Sequence, residues 1–437
     1  MAKLQFPDEF LWGAAMSAHQ VEGGNKNDWT EWEEKNAARW ARELTLKKAD
    51  FGCGPLTPSE WAAAEQEIQN PANYRSGAGV DHYNRWQEDI TLAKSLNLSA
   101  LRFSVEWSRV QSSADTFDQA AIDHYVDLAK ELVRQNITPI ITMHHFTNPL
   151  WFVELGGWES KNAPKLFAEY VKQMTMAFKD AGVVGARYIL FNEPELYAMQ
   201  AWAFGVWPPE KKNYFTAYHV TSHFITAHKL SYDTIKTIDP EAQVTSTDHL
   251  IDFEPKRNIA HPINKLAIWL GNWLFANRFR MQTTKYQDFI ALNQYLHCVV
   301  DVTKILKNRG LFKNDMSEPR TDMGWFVHPS SMYRVLAKLP RKKPILIAEN
   351  GFALRDDTKR ELYLKQTLIE VHQAIQEGVP VVGYLHWSLL DGFEWPIAGW
   401  WAQFGLVAVD RMTMQRIPKP SAKLYANIIS TNSLSDG

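Results

Sequence analysis

Eight short apolar runs recur along the 437-residue chain, at residues 11–15, 100–105, 138–144, 187–192, 244–247, 289–293, 345–349 and 381–387. Several are unbroken, such as ILIA and VVGYL, with no polar residue on alternate positions. A strand that is apolar on both faces is covered on both faces, as in a parallel sheet flanked by helices. Amphipathic helical stretches lie between the runs. Asp118 is placed to cap a helix whose buried stripe is Ala121, Ile122, Tyr125, Leu128, Ala129 and Leu132. A second starts at Pro164, carries Leu166, Phe167, Tyr170, Val171, Met174 and Phe178 on one face and stops at Gly182; a third ends at Gly378. Eight strands alternating with helices predict an α/β fold, a (β/α)8 TIM barrel that takes in residues 1–437 as one domain. A doubly wound sheet is the competing architecture, but no Gly-x-Gly-x-x-Gly follows the first strand.

The extra length falls in residues 40–79, 252–286, 308–330 and 391–404. Each segment follows a strand, so in a barrel all gather at the C-terminal face, where barrel enzymes keep their chemistry. The acids at strand ends then become informative. The fourth strand ends Phe191-Asn192-Glu193-Pro194 and the seventh Ala348-Glu349-Asn350-Gly351. An acid directly after a buried apolar run is costly unless it faces a polar cavity. Strands four and seven lie across a barrel from each other, so Glu193 and Glu349 can face one substrate from two sides. Glycoside hydrolysis needs such a pair, one acid to protonate the leaving oxygen and one to attack or to activate water. The alternative is that each Glu merely ends its strand on a neighbouring cation. Arg102 on the second strand can point into the barrel mouth or pair with Glu106. Of His144 and His145, neighbours on the third strand, at most one faces the pocket.

Other chemistries find little support. Lys plus Arg (47) nearly cancels Asp plus Glu (49), leaving no basic field for nucleic acid or anionic lipid. Two cysteines, Cys53 and Cys298, are too few for a disulfide framework or a Cys-rich metal site. His219 and His223 have i, i+4 spacing but lack the Glu of His-Glu-x-x-His. No Walker loop or Gly-x-Ser-x-Gly elbow occurs. The start, MAKLQFPDEF, has no apolar leader, and no apolar run approaches ~18 residues, so a soluble, cytoplasmic protein is expected. Most of the 18 Trp are expected in the core, with some left as stacking platforms for sugar faces.

The motifs FPDEFLWGAAMSAHQVEG, SGAGVDHYNRWQEDI, LRFSVEWSR, HHFTNPLWF, FNEP, AENG and YLHWSLLDGFEWPIAGWWAQFGLVAVD resemble those of glycoside hydrolase family 1, the retaining β-glycosidases, from Phe6 to about Ile429. The resemblance implies that Glu193 is the general acid/base and Glu349 the nucleophile, with carboxyls about 5–5.5 Å apart. It implies that Arg102 and Tyr295 hold Glu349, that Gln20, His145, Asn192, Trp387, Glu394 and Trp395 line the subsite for the terminal sugar, and that Trp325 lies on the leaving-group side. It implies small carbohydrate substrates and no metal or organic cofactor.

This chain departs from the family pattern at Gln294, where a Tyr is usual, and at Ala348, Gly392, Trp400 and Gln403. The last three are expected to loosen the loop carrying Glu394 and so to broaden sugar preference. Members that recognise a 6-phosphate usually carry Ser at the position of Glu394, which reads against a phosphoglycosidase. The expected function is removal of single terminal sugars from β-glucosides, with β-galactosides and β-fucosides as further substrates. A transglycosidase on the same site, and a sugar-binding barrel without catalysis, are the rivals. Oligomeric state is not legible.

Overall fold

A computed structural model describes residues 3–47, 58–275, 277–305, 319–395 and 398–435. Cys53 and part of the 40–79 and 308–330 segments lie outside them. The barrel strands are β1 (Leu11–Ala15), β2 (Ala100–Ser104), β3 (Thr138–Thr142), β4 (Arg187–Ile189), β5 (Gln243–Thr245, resuming as Thr247–His249), β6 (Ile290–Asn293), β7 (Ile345–Asn350) and β8 (Val381–Trp387). They pair in parallel, in chain order, with β8 beside β1. The two halves of β5 pair with β4 and with β6, so the ends of the sheet meet at Ser246 and the sheet curls nearly closed.

Alternation along the strands separates two apolar regions. On β2, Leu101 and Phe103 join the layer beneath the helices, while Ala100 joins Ile140, Ile189, Ala291, Leu346 and Leu385 in another cluster. Arg102 shares the period-2 row of Ala100 and is fully buried. The helix Gln119–Arg134 is capped by Asp118, whose side chain accepts from the Ala121 N–H, and buries the stripe its periodicity predicts. The helix Ala163–Asp180, which starts without a side-chain cap, also buries its expected stripe, except that Leu166 is only partly buried. The described part of the excursion after β1 is largely helical, Asp28–Lys47 and Pro58–Ile68. No helix among the described residues is long and apolar enough to cross a membrane.

Strand ends differ from the periodicity at the barrel mouth. β2, β3 and β4 stop one to three residues early against the expected 105, 144 and 192. There backbone bonds continue irregularly, as from the Val105 N–H to the Thr142 carbonyl at 2.9 Å, and side chains join them. Ser246 Oγ, for example, accepts the Phe191 N–H at 3.1 Å.

Candidate active site

Glu193 sits where β4 turns into the short helix Pro194–Ala198. Its φ of +43° is a left-handed conformation that costs a non-glycine residue about 1–3 kcal/mol. Pro194 at the first helical position and the Glu193 N–H bond to Thr247 Oγ1 (3.0 Å) hold it there. Glu193 Oε1 accepts Asn293 Nδ2 at 2.6 Å and faces His249 Nδ1 at 3.1 Å. Oε2 makes no hydrogen bond among the described residues.

Glu349 lies on β7 and is buried. Arg102 Nη1 donates to its Oε1 at 2.5 Å and the Tyr295 hydroxyl to its Oε2 at 2.7 Å. Arg102 is satisfied further by Thr142 Oγ1 (2.9 Å), the Ala348 carbonyl (3.3 Å) and Asn192 Oδ1 (2.7 Å). A buried guanidinium is tolerated because its forked donors are so occupied. It pairs with Glu349 and not with Glu106, which takes Asn27, Ser108 and Thr147 instead. Gly351 lets this strand end lie against β8, since a Cβ there would stand 1.9 Å from the Trp387 carbonyl oxygen. Burial pushes the Glu349 carboxyl up to about 7; Arg102 pulls it down, the charge of Glu193 pushes it up, and the Tyr295 hydroxyl pulls it down again.

Asn192 Oδ1 accepts from Arg102, Thr247 (2.9 Å) and Asn293 (3.1 Å), which orients its amide; Nδ2 meets His145 Nε2 at 3.1 Å. His145 lies nearly parallel to Trp387 and Trp395, at ring separations of 5.8 and 6.0 Å. His144 points the other way, into Trp158, Phe167 and Phe191, and bonds Asn148 Oδ1. Trp387 Nε1 donates to Glu394 Oε1 at 3.2 Å, and burial pushes the Glu394 carboxyl up to about 8. Gln20 donates to the Phe393 carbonyl at 2.6 Å. Trp325 packs against Tyr295 and Phe404. The residues expected from the sequence thus form one continuous constellation at the C-terminal mouth.

On its described residues the loop bearing Glu394, where Gly392, Trp400 and Gln403 were expected to bring looseness, is tied to its neighbours by several bonds. The Glu394 and Gly399 backbones bond reciprocally at 2.9 and 3.0 Å, and Phe393 N–H donates to the Gln20 carbonyl at 2.9 Å. Gly392 lies so near Gln20 that a Cβ would stand 3.0 Å from its carbonyl oxygen. Trp400 donates from Nε1 to the Arg75 carbonyl and lies under Arg411 at 3.6 Å. The Gln403 carbonyl accepts from Arg360. At the other departures, Gln294 bonds Ser331 and its N–H donates to the Glu349 carbonyl, and Ala348 is buried.

Periodicity missed His249, Asn293 and Thr247, which hold Glu193. The polar ends of strands five and six were the signal available. His223 meets the Trp158 carbonyl at 2.7 Å and His219 is exposed; no cluster of three metal-ligating side chains occurs among the described residues.

With this geometry in hand, similarity to known proteins becomes interpretable. The family model described as glycosyl hydrolase family 1 matches residues 2–282 and 277–434. A 1,4-beta-D-glucan glucohydrolase of Thermotoga neapolitana is 29% identical, with 99% of this chain and 100% of that protein covered. A beta-glycosidase from Pyrococcus horikoshii superposes with a TM-score of 0.82 at 30% identity, over 100% of this chain and 97% of that one. A beta-glucosidase from Thermotoga maritima in complex with deoxynojirimycin superposes with a TM-score of 0.79 at 27% identity, over 99% and 100%.

Proposed function

The chain belongs to glycosyl hydrolase family 1 and is an O-glycosyl hydrolase, and from this we propose that it removes terminal sugars from β-glucosides with retention, through a glycosyl-enzyme. One observation carries the reading. Glu349 has both carboxyl oxygens held by donors, while Glu193, the second carboxyl of the same mouth, keeps one oxygen without a partner among the described residues.

In the first step Glu349 attacks the anomeric carbon as the bond to the leaving oxygen breaks. Glu193 supplies that oxygen with a proton. Arg102 and Tyr295 stabilise the attacking carboxylate and orient it. Once Glu349 is a neutral ester, Glu193 is left as a carboxylate. It takes a proton from water, the hydroxide attacks the anomeric carbon, and the ester bond breaks to restore Glu349. Two inversions give net retention. Asn192 offers its oriented amide to the 2-hydroxyl, where contacts strengthen in the oxocarbenium-like transition state. Trp387 gives a stacking face, and Gln20, His145 and Glu394 close the pocket behind one sugar. That closure favours exo action, and the beta-glucosidase names of the relatives favour glucose. Hydrolysis of an aryl β-glucoside, followed by proton NMR of the first-formed sugar, tests the proposal. β-Glucose formed first is expected; α-glucose formed first would exclude the glycosyl-enzyme.

A further inference from the structure

β5 resumes after Ser246 as Thr247-Asp248-His249, in parallel register with β6, and His249 is the ladder partner of Asn293. Adjacent strands therefore present two side chains side by side at the barrel mouth. Both reach the same atom. Asn293 Nδ2 lies 2.6 Å and His249 Nδ1 3.1 Å from Glu193 Oε1. A carboxyl oxygen has two lone pairs, and with the imidazole proton on Nδ1 of His249 two N–H donors fill both. A proton on Glu193 then has one place left, Oε2, the oxygen without a protein partner among the described residues.

We propose that His249 is a positioning residue for the acid/base: with Asn293 it occupies both lone pairs of Glu193 Oε1, confines the transferable proton to Oε2, and aims it at the leaving oxygen. The proposal rests on the assignment of Glu193 as acid/base. His249 is well placed for such a task. Its side chain is 12% exposed. Its ring lies nearly parallel to that of Tyr295, 6.3 Å away, so the residue that bonds Glu349 also braces the ring that bonds Glu193. The groups acting on it electrostatically are Glu193 and Glu349, both acidic, with Arg102 beyond Glu349; burial opposes a charge on the imidazole, but these two carboxyls raise its pKa above the ordinary value. When Glu193 becomes a carboxylate in the second step, the same two donors remain, and a proton on His249 makes one of them a charge-assisted bond.

A residue that acts only through the acid proton matters where the leaving group needs that proton. The test compares kcat/KM for cellobiose and for 2,4-dinitrophenyl β-glucoside in His249→Phe, His249→Gln, Glu193→Ala and the double variant Glu193→Ala/His249→Phe. His249→Phe is expected to lose about 10- to 100-fold on cellobiose, a fraction of what general acid catalysis contributes, and less than about threefold on the dinitrophenyl substrate. His249→Gln, which keeps an N–H donor, is expected to recover most of the cellobiose loss. In the Glu193→Ala background, His249→Phe is expected to cost nothing further. Equal losses on both substrates, no loss on either, or a further loss in that background would overturn the proposal and leave His249 a packing residue. If Glu193→Ala shows leaving-group dependence and His249→Phe does not, only the role of His249 falls. If Glu193→Ala itself loses equally on both substrates, the acid/base assignment falls and takes this proposal with it. Thermal melting of His249→Phe and His249→Gln separates a folding defect from a chemical one, since a fold defect lowers both substrates alike.

Discussion

Arg102 is bonded to Asn192 at 2.7 Å with one terminal nitrogen and to Glu349 with the other, so a single guanidinium from β2 ties together the ends of β4 and β7. Asn192 immediately precedes Glu193. The spacing of the two carboxyls is therefore set by one rigid fork at the barrel axis, not by two independent loops. Removing one partner from such a buried charged network costs about 3–5 kcal/mol, because the remaining charge is left uncompensated. Glu349 is one such partner, so its substitution calls for a melting measurement beside the kinetics, whereas Glu193 makes no bond to Arg102 among the described residues.

Glu349→Ala is expected to abolish turnover of every β-glycoside, because no other group can form the ester. Azide or formate, filling the vacated space, should restore part of the turnover of activated glycosides and give the inverted product. Substantial activity with retention in this variant, read by NMR of the product, would remove the nucleophile assignment.

Glu193→Ala should make the second step limiting for a good leaving group, since the base that deprotonates water is gone. Azide needs no base, so it should speed release of dinitrophenolate and appear as a β-glycosyl azide. Absence of any azide effect on steady-state rate or product contradicts the assignment.

The acid limb of kcat/KM is a third measurement. Glu349 attacks only when deprotonated, and burial holds its carboxyl above the usual carboxylate range, so activity should rise with pH along a limb that lies above that range. The Tyr295 hydroxyl bond favours the charged form. Tyr295→Phe should therefore move the limb to higher pH, by about one unit for a hydrogen bond to a charged group worth ~1.5 kcal/mol. A limb that stays in place, or moves down, shows that the bond does not act on the free enzyme.

The two carboxyls were legible because each follows an unbroken apolar run, where an acid has no cheap explanation. Arg102 was legible as a cation on a core strand, though its choice of Glu349 over Glu106 needed the barrel's alternation. His249 was hidden because the expected fifth strand, residues 244–247, stops two residues short of it, whereas the ladder resumes past Ser246 as Thr247–His249. Asn293 ends a strand as Asn192 does, but no apolar-run argument separates a donor amide from a turn residue. The bonds that tie the Glu394 loop to its neighbours were also out of reach. Trp400 acts by reaching Arg75 and Arg411, contacts between distant segments that local pattern does not encode.

Sugar preference turns on the chemistry of the Glu394 carboxyl. Glu394 is the acid expected to meet the 4- and 6-hydroxyls. Burial pushes it up to about 8, so near neutral pH it is largely a neutral carboxyl, able to donate from one oxygen and accept on the other. Trp387 bonds Oε1, and the Gln20 side chain and the Trp395 N–H also bond the carboxyl and temper that rise. A neutral group with both functions can serve an equatorial or an axial 4-hydroxyl. Losing the 6-hydroxyl contact then costs about 1 kcal/mol, where stripping a partner from a buried charge costs about 1.5–3 kcal/mol. β-Glucosides, β-galactosides and β-fucosides should therefore fall within about a hundredfold in kcat/KM, a spread of ~2.7 kcal/mol in transition-state binding. Glu394→Gln, which also both donates and accepts, should keep this order, whereas Glu394→Ala should lower glucosides more than fucosides, because fucosides have less to lose. Rates on β-fucoside and β-galactoside both more than a thousandfold below β-glucoside would mean that Glu394 works as a charge with strict geometry, and the enzyme is a strict glucosidase.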